Sequence, residues 1–172
     1  MIDTVKNMPD VKIMIISKGQ IIQKNSNELS KGKKIVLFGV PGAFTGTCSN
    51  KHLPSYINLA DKMKKKGIKD IYCMSVNDPS VMKAWQESYE NGRKIKMIAD
   101  GNADLTKALE LDKDYSKSYM GVRSKRFALI ADNNQIITLN IEEPSQYHVS
   151  SAEYMINQIW IEVSSEWSGN EY

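Results

Sequence analysis

Cysteine is scarce in this sequence: only Cys48 and Cys73 occur among 172 residues. Two are too few for a disulfide scaffold. Met1–Lys6 shows no basic segment followed by an apolar run, so no export signal is visible, and both thiols are expected reduced in a cytosol. Long hydrophobic runs are missing as well. Stretches such as Ile13–Ile16 and Ile35–Phe38 fall far below a bilayer span, which gives no reason to expect a membrane partner. A net charge of +3 is too mild to indicate nucleic acid. Arginine is the most informative scarcity. Of 23 basic residues only Arg93, Arg123 and Arg126 are not lysine, and two of those three stand within four positions. Where lysine is the default cation, such a pair calls for a reason beyond solubility.

What is present reads as one α/β domain over residues 1–172, with 41% hydrophobic and 25% charged residues and no repeat or linker. Val11–Ile16 and Gln20–Gln23 read as strands around the turn Ser17-Lys18-Gly19. Ile35–Val40 and Asp70–Val76 are continuous apolar runs, the pattern of strands buried on both faces. Between them Leu53, Tyr56, Ile57, Ala60 and Met63 recur at helical spacing, and Gly67 ends that helix. Asn77-Asp78-Pro79 opens a second helix that runs towards Asn91-Gly92. Ile95–Ile98 follows as a strand and Leu105–Leu109 as a short helix. Arg126–Ala131 and Gln135–Ile141 form a hairpin, and Ser150–Glu153 resembles a capping box opening a last helix through Ile159. This order predicts a thioredoxin-like fold, a central mixed β-sheet flanked by helices. The 162–172 tail, with Trp167 and Tyr172, has no physical account.

The chemistry centres on Cys48, where the loop Pro41–Thr47 leaves a buried strand and becomes a helix. Unpaired N–H groups and the positive end of the helix dipole stabilise an anion at such a place, and the thiolate is the nucleophilic form of cysteine. Small polar neighbours (Thr45, Gly46, Thr47, Ser49, Asn50) argue against an inert core thiol. Thr45, one turn earlier, is spaced to accept from the thiol, to donate to a bound oxygen, or to cap the helix. Pro41 stiffens the loop and could shield the sulfur from water, or simply ends the strand. His52, four residues on, could pair with Cys48, but a histidine on the helix face near the pocket is the simpler reading. Cys48, His52, Cys73 and His148 lack the paired short spacings of a zinc site, so no metal is expected.

The run Pro41-Gly42-Ala43-Phe44-Thr45-Gly46-Thr47-Cys48 resembles the P-x-x-x-T-x-x-C motif of the peroxiredoxins, most closely the type II class. The similarity continues through His52-Leu53-Pro54, Ser75–Pro79, Lys83-Ala84-Trp85, Ala99-Asp100-Gly101, Arg123–Phe127 and Ser150–Glu153, roughly Met8 to Ile161. It implies a peroxidatic Cys48, catalytic Thr45, Pro41 and Arg126, and backbone N–H groups of Thr47 and Cys48 at the peroxide. Arg126 is preferred to Arg123 because it directly precedes the strand from which the family's arginine comes. The implied activity is reduction of hydrogen peroxide and organic hydroperoxides through a sulfenic acid, without metal or organic cofactor. Glutathione with glutaredoxin, or thioredoxin, is the implied reductant, and a homodimer touching through Pro79–Trp85 the implied assembly. Gly46 departs from the family's usual proline, which bears on rate more than identity. Cys73 reads as a core thiol. Some plant members have a second cysteine here, to which a resolving role attaches, whereas His148–Ser151 offers none near the last helix. A one-Cys cycle is therefore expected. The alternative reading is a thioredoxin-like redox sensor or a disulfide reductase, the latter disfavoured by the missing C-x-x-C.

Overall fold

The computed structural model describes residues 5–160; the 162–172 tail lies outside them. Nine strands and four α-helices run in the order β1 (Lys12–Ser17), β2 (Gln20–Asn25), β3 (Lys34–Gly39), α1 (Leu53–Lys65), β4 (Ile68–Ser75), α2 (Pro79–Glu87), β5 (Lys96–Ala99), α3 (Asp104–Ala108), β6 (Asp112–Asp114), β7 (Val122–Ser124), β8 (Phe127–Asp132), β9 (Gln135–Ile141) and α4 (Ala152–Ile156). Seven strands form one mixed sheet in the order β2-β1-β5-β4-β3-β8-β9. β3, β4 and β5 are parallel at its centre, and the flanking pairs are antiparallel. This is the thioredoxin-like arrangement expected from the element order.

Strand alternation sorts the side chains into two apolar layers. Val36, Phe38, Ile71, Cys73, Met97, Ala128 and Ile130 face α1, α2 and α4. Ile35, Leu37, Tyr72, Met74, Ile98 and Leu129 pack on the other face with Leu105 and Leu109. With both faces covered, the central strands read as unbroken apolar runs, which is why they were legible in the sequence.

Several boundaries differ from expectation, each for a local reason. α2 ends at Glu87 rather than near Asn91, and Gly92 begins a 3-10 turn. A Cβ on Gly92 would lie 1.9 Å from the Gln86 carbonyl oxygen, so the chain closes on itself there and no larger residue fits. α4 stops at Ile156, short of Ile159, and its cap is Ser151 rather than Ser150: the Ser151 Oγ accepts from the Tyr154 N–H at 3.2 Å. The hairpin β6–β7 has no counterpart in the sequence reading, because Asp112-Lys113-Asp114 carries no apolar alternation.

Candidate active site

β3 and β8 pair antiparallel, with Gly39 opposite Phe127. The Phe127 ring lies over Gly39 so closely that a Cβ there would come within 2.0 Å of it. This contact brings the exit of β3, where the Pro41–Thr47 loop begins, beside the entry to β8, where Arg126 stands. The loop is tied down on its other side: the Ala43 N–H donates to Asn77 Oδ1 at 3.0 Å, and that oxygen also receives the Ser75 hydroxyl at 2.6 Å. Phe44 sits in the left-handed region (φ 60°), unusual for a bulky side chain, and the residue is 57% exposed.

Helical structure starts at Gly46, and Cys48–His52 form a π-helical turn in which the Leu53 N–H reaches back to the Cys48 carbonyl. Pro54 accounts for the irregularity. It lacks the N–H that a regular helix would direct at Asn50, and its ring would crowd that carbonyl. α2 grips the turn: Trp85 Nε1 donates to Ser49 Oγ at 3.0 Å and the Tyr89 hydroxyl to the Ser49 carbonyl at 2.6 Å. Thr47 and Cys48 belong to the first helical turn, whose N–H groups have no acceptor four residues back.

Cys48 is free and almost fully buried. Arg126 reaches it from the entry to the neighbouring strand β8, Nη2 donating to Sγ at 3.2 Å. A guanidinium cannot give up its charge and can only donate, so the sulfur is the acceptor here. Arg123 has a different task. Its Nε donates to the Met120 carbonyl at 2.8 Å and its Nη1 to the Pro41 carbonyl at 3.3 Å, so it braces the loop and leaves the sulfur alone. The Thr45 hydroxyl donates to the Gly42 carbonyl at 2.7 Å. That takes its only proton, which closes the expected donation to a bound oxygen and leaves its lone pairs to accept. Nor is it the expected side-chain cap, although the Thr45 carbonyl accepts the first helical bond, from Ser49. Gly46 needs no glycine here: its φ is not positive, and an added Cβ would meet nothing within 4 Å.

His52 stands beside the site as expected, fully buried, and it bonds to Arg126, not to Cys48. Its Nδ1 lies 2.9 Å from Arg126 Nη1 and its Nε2 lies 2.9 Å from the Ser150 carbonyl oxygen. Burial first, then the neighbouring guanidinium, hold its pKa down at about 3, against a partial lift from the Ser150 bond. The ring is therefore neutral at physiological pH and cannot form an ion pair with a thiolate. No sequence signal pointed to this contact, since 74 residues separate Arg126 from His52. Cys73 shares the buried layer of Cys48. Burial, reinforced by the nearby Cys48 and opposed by Arg126, pushes its thiol well above the ordinary range. A cleft of about 720 Å³ opens beside Pro41, Thr47 and Arg126, walled by Tyr115 and Tyr147 with Lys113 and Lys125 at one side. Among the described residues no three His, Cys, Asp or Glu side chains cluster as a metal site.

The chain is similar to known proteins over most of its length. The Redoxin family model matches residues 5–156. Peroxiredoxin-2C of Oryza sativa subsp. japonica is 51% identical over 137 residues, spanning 80% of this chain and 85% of the rice protein. The crystal structure of reduced Prx3 from Vibrio vulnificus in complex with H2O2 superposes with a TM-score of 0.86 at 45% identity, covering 93% of this chain and all of that one. The Plasmodium falciparum antioxidant protein, a 1-Cys peroxiredoxin, gives a TM-score of 0.80 at 33% identity over 88% of this chain and 96% of its own. A buried cysteine under an arginine at the head of a helix, on this fold and with these relatives, has one family to belong to: the chain is a type II peroxiredoxin of the Redoxin family, a thiol-dependent peroxidase.

Proposed function

We propose that Cys48 is the sulfur that meets the peroxide, on the strength of one observation above the rest, the 3.2 Å bond from Arg126 Nη2 to its Sγ. The thiolate attacks one peroxide oxygen. An S–O bond forms as the O–O bond breaks, sulfur is oxidised by two electrons to the sulfenic acid, and the departing oxygen takes a proton and leaves as water or alcohol. Negative charge moves from sulfur to the leaving oxygen. Donors already fixed along that line lower the barrier: the free Arg126 N–H groups and the backbone N–H groups of Thr47 and Cys48. Thr45 Oγ1, its proton committed to Gly42, accepts from the O–H of the incoming peroxide and orients it. Pro41 walls the cleft and keeps bulk water from the sulfur.

The family implies a peroxide substrate and a thioredoxin-type reductant. We infer a one-Cys cycle in which an external thiol, of the glutathione/glutaredoxin or thioredoxin kind, attacks the sulfenic acid, releases water, and leaves a mixed disulfide that a second thiol clears. Cys73 suits resolution poorly, being buried and held as the thiol. Because Cys48 is buried as well, the reductant needs the turn at 46–52 to open, and its π geometry is the weak point of that helix. Two free thiols fit the reducing cytosol expected from the sequence. For the homodimer, Trp85 faces inward, so the contact falls to the outer residues of 79–84 together with exposed Phe44, whose ring centroid lies 6.5 Å from that of Trp85. The deciding assay is peroxide consumption with each reductant in turn. Cys48→Ser is expected to lose the activity while keeping its cooperative melt, and turnover comparable to wild type in that variant would refute the assignment.

A further inference from the structure

We propose that His52 is a positioning residue for the peroxide step: it holds the Arg126 guanidinium as a neutral acceptor, so that Nη2 stays on the sulfur. The chemistry of the partners fixes the tautomer. Arg126 can only donate, so Nδ1, 2.9 Å from Nη1, is the bare nitrogen; the Ser150 carbonyl can only accept, so Nε2, 2.9 Å away, carries the proton. The guanidinium is planar and rigid, and fixing one terminal nitrogen therefore aims the other. Nη2 then rests 3.2 Å from Cys48 Sγ. Without that anchor, Arg126 would keep several rotamers and would have to be ordered at each turnover.

The imidazole is held from three sides. Phe38 lies against it at 4.8 Å between centroids and Tyr147 meets it edge-on at 5.2 Å. The Ser150 carbonyl that receives Nε2–H also receives the Tyr56 hydroxyl at 2.7 Å. Ser150 is itself pinned by Glu142 Oε1, which accepts from its N–H at 2.8 Å and its hydroxyl at 2.9 Å. A line of bonds thus runs from the end of β9 through Ser150 and His52 to Arg126 and the sulfur. An uncharged acceptor suits the task. A carboxylate in its place would neutralise the guanidinium, whereas imidazole leaves the full positive charge for the thiolate and the transition state.

This inference rests on Arg126 acting on Cys48, and the test separates the two. Stopped-flow rates of Cys48 oxidation by hydrogen peroxide are measured for His52→Leu, His52→Asn, Arg126→Gln and the double variant His52→Leu/Arg126→Gln, with melting curves for each. His52→Leu, which lacks the acceptor, is expected to be about tenfold slower or more, while His52→Asn, whose Oδ1 can replace Nδ1, stays within about threefold of wild type. In the Arg126→Gln background, His52→Leu should add less than about twofold, because the two residues act as one unit. Two outcomes would overturn the proposal: His52→Leu at wild-type rate while Arg126→Gln is slow, or a full multiplicative loss in the double variant. Arg126→Gln at wild-type rate would instead undo the underlying reading of Arg126, and this one with it. Should His52→Leu fail to fold, nitrogen NMR of the wild-type imidazole decides. A bare Nδ1 and a protonated Nε2 at neutral pH support the proposal; a protonated Nδ1 overturns it.

Discussion

Acid should destabilise this protein through His52. In the unfolded chain the imidazole takes up a proton with a pKa of 6.5; in the fold, burial and the adjacent Arg126 hold that value down at about 3. The unfolded state therefore binds more protons between these limits. The stability that neutral His52 permits is intact above 6.5 and is lost as pH falls towards 3. At pH 5 the unfolded imidazole is almost fully charged and the folded one almost fully neutral, which amounts to a loss of about 2 kcal/mol relative to pH 7.5. Three carboxylates are held clear of that comparison at pH 5. Burial alone would raise the proton affinity of Asp70, but hydrogen bonds from Lys33 and Lys96 outweigh it, and Asp70, like Asp61 and Asp114, titrates below its ordinary 3.8. Urea unfolding at both pH values, on wild type and His52→Asn, gives the measurement. His52→Asn is expected to be less stable than wild type at pH 7.5, because it replaces a packed ring, yet to lose about 2 kcal/mol less on acidification. Equal losses in the two proteins would refute the reasoning, since they would mean that the folded imidazole charges as readily as the unfolded one.

The remaining predictions concern the site. Arg126→Gln should slow the peroxide step by about a hundredfold or more, as removal of a preorganised donor does, whereas Arg123→Gln, which frees the Met120 and Pro41 carbonyls and leaves the sulfur's partner in place, should cost far less; stopped-flow rates in the reverse order would show that the wrong arginine was assigned. Thr45→Val should also impair turnover by removing the acceptor for the peroxide O–H, and a wild-type rate there would reduce Thr45 to a brace for Gly42. Brief oxidation without reductant should leave Cys48 as sulfenic and then sulfinic acid, read by intact mass; a dominant Cys48–Cys73 disulfide would show that a two-Cys route operates. Gly46→Pro should raise stability by about 0.5–1 kcal/mol, because the first helical position accepts proline and nothing crowds it, and should slow reduction by large thiols if opening of the 46–52 turn limits that step. A lowered melting temperature would show that Gly46 needs freedom the structure does not reveal.

How much was legible from the chain alone differs between local and distant features. The apolar run at 35–38, the helical spacing from Leu53 to Met63 and the Asp78-Pro79 helix start are local patterns, and each became the element they predict. Cys48 stood out because its signal is also local, a small polar loop at a strand-to-helix junction; the surrounding motif extended that reading to Thr45 and Pro41, and the family resemblance to Arg126. Three things depended on tertiary structure. The first is the direction of the Thr45 proton, which the Gly42 carbonyl decides. The second is the task of the other arginine: β8 begins at Phe127, opposite Gly39, so Arg126 just before that pair faces the sulfur, as the family resemblance implied, while Arg123 on β7 turns to the loop. The third is His52, whose sequence neighbours suggest only a helix face. Its partners, Arg126 and Ser150, lie 74 and 98 residues away, and periodicity carries no information over such distances. What the sequence determined was the order of elements and the candidate nucleophile; the closure of the sheet decided how the arginine and its neutral acceptor stand beside it.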